Sequence, residues 1–210
     1  MSDFFSSEGP FLGFLEKVGQ IIIINVLCII CMLPVITMLP SLSAFYYAMI
    51  KSVRRGRGYA AKEFFRSFKH TFVKGILFSV IYIAVFGFLF ADVFILNESR
   101  MTYLFVYVLL AVVLLMIFVY LIPVLGRFDM KSADLIKLSF IMSLKHFPTT
   151  VVLTVVPLLL GYVLLKYVTV VAVIFVPGVW CYFSTYLIER IMKKYMPKVS
   201  GENEDAWYLE

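Results

Sequence analysis

Five apolar stretches, about residues 20–40, 75–97, 102–126, 149–166 and 168–188, occupy roughly half of the chain and hold a single acidic residue, Asp92. A hydrocarbon core of about 30 Å needs about 20 helical residues at about 1.5 Å each, so each stretch reaches or approaches a bilayer crossing. A soluble domain could not hide this much apolar surface in one core. Hydrophobic residues make up 62% and charged residues 15%, against about 45–50% and 25% in ordinary globular proteins. The pattern predicts an all-α integral membrane protein with about five transmembrane helices. Residues 1–198 form one polytopic membrane domain, and the acidic end, 199–210, is expected to be a disordered tail.

The charges fall between these stretches. A net charge of +6 would suit nucleic acid only if basic side chains striped a soluble face, so nucleic acid is excluded as a partner and the lipid bilayer takes its place. Sixteen basic residues lie in 51–74, 127–145 and 190–198, while only Lys17, Arg100 and Lys166 fall on the other side. Cytoplasmic loops carry the excess of Lys and Arg, which places the basic side and the C-terminus in the cytoplasm.

Residues 18–50 carry no charge at all, and as one helix they would reach about 50 Å. Pro34 and Pro40 break the run. Either one span leads into an interfacial helix at about 41–55, with the N-terminus outside, or two tight spans fill the segment, with the N-terminus inside. An internal repeat favours the first arrangement. Shifted by 76 residues, Phe64, Ser67, Lys69 and His70 fall on Phe140, Ser143, Lys145 and His146, while Lys51 meets Arg127 and Arg55 meets Lys131. The unit is a span, a basic helix and a span, repeated in parallel, a known way of building membrane proteins.

Both basic segments have helical periodicity: Phe64, Phe68 and Phe72 in one, Ile136, Phe140 and Leu144 in the other. Aromatic and aliphatic residues on one face with cations on the others describe a basic amphipathic helix at the cytoplasmic surface. Its bland role is a topology anchor. Its sharper role is a partner-docking surface, for which Arg66, Phe68, Lys69 and Lys145 are the candidates. Two intramembrane polar residues stand out. Asp92 is a costly carboxylate near the outer end of its span, within reach of the interface, Lys166 or Arg100. Asn25 can supply an interhelical hydrogen bond. His70 and His146, or the pair Cys28 and Cys31, do not complete a metal site, which needs further ligands. No catalytic, cofactor-binding or metal-binding set is expected.

The stretch Asn25 to Met49, NVLCIICMLPVITMLPSLSAFYYAM, and the KSVRRGRGYAAKEFFRSFKHTF that starts at Lys51 resemble the YesL family of small bacterial membrane proteins (domain of unknown function 624). Asn25, Leu27, Pro34, Val35, Thr37, Pro40, Ala44, Tyr46 and Tyr47 match the family pattern, as do Phe64, Ser67, Phe68 and Lys69. Leu39 departs from it, where a glycine or small residue is common. The resemblance implies a multi-pass protein of the bacterial plasma membrane with no established activity. It also implies an accessory role in carbohydrate uptake or its regulation beside the permease subunits of an ABC sugar importer. The alternative is a small secondary transporter or channel acting alone.

Overall fold

The uncharged run breaks where its first proline sits. Pro34 has no N–H to give a helix, and it disfavours helical geometry in the residue before it. In the computed structural model, which describes residues 10–95, 104–166 and 170–195, helix α1 (Pro10–Met32) ends just before it, and a 3-10 turn (Val35–Thr37) follows. The Thr37 hydroxyl donates to the carbonyls of Cys31 (2.6 Å) and Pro34 (2.7 Å), satisfying backbone acceptors freed by the break. Helix α2 (Met38–Ala48) then runs back along α1, with the Cys28 thiol 3.8 Å from the Ser41 carbonyl.

A π-helical turn (Met49–Arg54) extends α2. It closes on Gly56, whose φ of 64° suits the left-handed cap; the bonds Arg57 N–H to Lys51 carbonyl and Gly56 N–H to Ser52 carbonyl each span one residue more than in a Schellman motif, in keeping with the wider π turn. Helix α3 (Ala60–Ile95) returns antiparallel to α2. The Leu39 N–H donates to Ser79 Oγ at one end (3.1 Å), and Lys51 pairs with Glu63 at the other (2.9 Å). The remaining helices are α4 (Leu104–Arg127), α5 (Ser132–Lys145), α6 (Phe147–Lys166) and α7 (Val170–Met192).

The expected interfacial helix at 41–55 is instead the centre of the molecule. From Leu39 to Val53 every residue but Leu42 is buried. The segment offers no polar face that an interfacial helix would need, and its small residues let neighbours close in. A Cβ on Gly75 would stand 2.7 Å from Pro40, and one on Gly126 would stand 2.8 Å from Ser43 Oγ, so α3 and α4 both approach α2 at backbone distance. The uncharged run is thus a hairpin of two helices, α1 and α2, rather than one span with an interfacial extension.

Among the described residues three helical segments are long and apolar enough to cross a membrane, Leu15–Met32, Ala60–Ala91 and Phe105–Arg127. Helices α5 and α6, bent by 99°, make up to four when counted as one. Large apolar side chains such as Val73, Phe88, Phe105 and Leu159 face outward, a surface that lipid accepts and water does not. The chain is a multi-pass membrane protein. Helix α7 occupies the fifth expected stretch. The links at 96–103 and 167–169, the tail 199–210 and the side chain of Asp92 on α3 lie outside the described residues.

Candidate functional site

Buried charge gathers at the basic end. Glu189 on α7, 2% exposed, bonds through Oε1 to Nη1 of Arg127, the last residue of α4. Its Oε2 lies 3.6 Å from Arg55 Nη2, and the Tyr46 hydroxyl of α2 donates to its Oε1 at 3.4 Å. Arg54 donates to the Thr185 carbonyl (3.2 Å), with its guanidinium 4.1 Å from the centre of the Tyr186 ring. A second buried pair, Lys51 with Glu63, joins the π-helical turn to α3. Unpaired, either carboxylate would be expensive in this apolar setting; paired, each ties helix ends together. Sequence reasoning missed both carboxylates because the rule used for topology weighs Lys and Arg and almost ignores Asp and Glu. An acidic residue one turn from the end of an apolar run, as Glu189 is, was the available signal.

Tyr46 belongs to this cluster and also lines a cavity of about 490 Å³ between α2, α4, α6 and α7. The walls are almost wholly apolar and include Pro123, Pro157 and Pro177, one from each of α4, α6 and α7, together with Trp180. Each proline inside a helix removes an N–H and frees the carbonyl four residues earlier. For Pro123 and Pro157 these belong to Val119 and Leu153, both in the cavity wall. Prolines from three helices thus converge on one space.

The residues proposed for docking sit on two elements. Arg66 and Lys69 are exposed on the first half of α3, and Lys145 is exposed at the end of α5, its ammonium 5.6 Å from the Tyr195 ring. Phe68 is half-buried between Phe64 (6.1 Å) and Phe72 (5.4 Å), so it is part of the packing of α3 as much as of its surface. Asn25 is buried on α1 against α7, where a Cβ on Gly178 would lie 3.9 Å from it. His70 is exposed, and His146 meets the Tyr195 ring edge-on at 6.3 Å. Outside the membrane, the Lys74 ammonium holds the Asp129 carboxyl below the usual carboxylate range, by hydrogen bond and by charge.

Neither a curated protein nor a solved structure matches the chain significantly. Residues 21–93 match the family model described as protein of unknown function, DUF624. The matched segment takes in most of α1, the buried α2 and nearly all of α3, the part of the fold in which the hairpin is enclosed. Over this segment, about a third of the chain, the protein is similar to the DUF624 family, the family called YesL.

Proposed function

We propose that the protein is a non-enzymatic accessory subunit of the bacterial plasma membrane, multi-pass and with a cytoplasmic C-terminus, that works beside a carbohydrate ABC importer or in its regulation. The observation that carries this reading is the built basic end. Arg66 and Lys69 stand exposed on α3, whose start is held by the buried Lys51–Glu63 pair, and Lys145 stands exposed at the end of α5, so a partner would meet a cationic face. Family resemblance supplies the importer as the partner class. Interfaces concentrate their energy in a few positions. Arg66→Ala and Lys69→Gln should therefore lower recovery of importer permease subunits in mild detergent while leaving insertion and abundance unchanged. Normal recovery with both variants leaves these helices as topology anchors.

The cavity favours a second reading, a small transporter or channel acting alone. Uptake of sugar into vesicles by the purified protein without any importer subunit would establish it over the first.

A further inference from the structure

The cavity between α2, α4, α6 and α7 is not filled by the chain's own side chains. Gly161 lines it, and a Cβ built there meets nothing within 4 Å. Water is a poor occupant, because an ordered water needs about 2–4 polar partners. Of the wall hydroxyls, Tyr46 is bonded to Glu189 and Ser184 to the Cys181 carbonyl. Thr154, 9% exposed, has an Oγ1 with no hydrogen-bond partner. The opening faces the bilayer: Leu158 lines the cavity and is still 56% exposed, beside the outward-facing Val155 and Leu159. Whatever enters comes sideways from hydrocarbon.

We propose that this cavity binds one acyl chain of a membrane phospholipid, with the ester carbonyl at its head accepting a hydrogen bond from Thr154. Thr154 lies about 10 Å along α6 from Phe147, in the half of the helix nearer the basic end, so the headgroup is directed toward that end. The alkyl chain then runs past Pro157 toward Gly161. An apolar pocket of a few hundred Å³ with one or two placed polar groups is the usual form of a small-ligand site. This inference does not depend on the importer reading, since it concerns what the protein takes from its own bilayer.

Trp180 lines the cavity and is one of two tryptophans in the chain, which makes the site readable by fluorescence. Full-length protein carrying Trp207→Phe is reconstituted in phosphatidylglycerol vesicles containing phosphatidylcholine brominated on its acyl chains. Trp180 emission should be strongly quenched. Gly161→Leu, which places its side chain in the open space, should remove most of that quenching. A reporter on the outer face, Val179→Trp with Trp180→Phe and Trp207→Phe, should be quenched equally with or without Gly161→Leu. Thr154→Val should weaken the quenching of Trp180 part of the way. Unchanged quenching of Trp180 in inserted Gly161→Leu protein overturns the proposal. The Trp207→Phe protein also decides without Gly161→Leu: quenching of Trp180 by aqueous acrylamide rather than by bromine means a water-filled cavity and overturns it too.

Discussion

The first half of α3 and the pair α5–α6 carry the same letters 76 residues apart and follow different courses. Ser67 and Ser143 are both buried (4% and 1%), and Lys69 and Lys145 are both exposed. Yet α3 runs straight through His70, while the chain bends by 99° at His146. The position that matches Phe72 is Pro148. A proline at the start of a helix is tolerated because its missing N–H has no partner there, and in the interior it breaks the ladder. At the bend the carbonyls of Ser143 and His146 accept from the Thr150 hydroxyl at 2.8 and 2.9 Å, and the Thr150 N–H also donates to the His146 carbonyl (3.0 Å). Lys74, the matching residue in the first segment, reaches out to Asp129 instead. The matching serines face inward and the matching lysines outward in both segments; one residue outside the shared letters decides whether the helix continues.

The ion pairs sharpen this comparison. Lys51 and Arg127 align in the two segments, and each pairs with a buried carboxylate. Glu189→Ala should destabilise the protein by about 3–5 kcal/mol, because it leaves the buried Arg127 charge uncompensated. Glu63→Ala should cost less, since the flexible Lys51 can carry its ammonium toward solvent. Thermal unfolding in detergent separates the two, and equal losses would erase the distinction.

Phe64 is 0% exposed under α2, whereas its counterpart Phe140 is 41% exposed. Phe64→Ala should cost about 3 kcal/mol and Phe140→Ala under about 1 kcal/mol. A large loss at Phe140 would show that α5 has a cover on its outer face. Next, moving the proline should move the bend. Phe72→Pro should cost about 3 kcal/mol by breaking α3, readable as lost helicity and lost stable protein; a neutral result breaks the explanation of the two courses.

The smallest effect concerns Lys74 and Asp129, which link the end of one segment to the start of the other. The folded carboxyl is held below its unfolded value, so the pair stabilises at neutral pH and is lost as pH falls through the folded value. Both side chains are substantially exposed (38% and 70%), which limits the contribution to about 1 kcal/mol or less. Asp129→Asn should remove that part of the acid sensitivity; an unchanged profile between about pH 7 and about pH 3 would give the pair no role.

Much of this architecture is legible in the sequence, and the exceptions have one cause. Helices α4, α6 and α7 lie close to the expected apolar stretches, because length and hydropathy are what a bilayer selects. The Pro34 break was also visible. The enclosure of 38–53 was not, because an uncharged helix suits protein neighbours and lipid equally well, and periodicity cannot tell which surrounds it. The partners of Arg55, Arg127 and Tyr46 were likewise invisible, since they meet only across three helices at Glu189. Arg66, Lys69 and Lys145, by contrast, are exposed, as long cationic side chains without a buried partner ordinarily are.

The position of Glu189 has a consequence for how the chain is made. Arg127 waits 62 residues and Tyr46 waits 143 residues for the carboxylate that joins them. Throughout that interval the ends of α2 and α4 carry arginines with no Glu189 to meet, in a region otherwise built to exclude charge. A chain that stops before α7 therefore lacks the carboxylate that joins the ends of α2 and α4. The last helix works as a latch on everything synthesised before it.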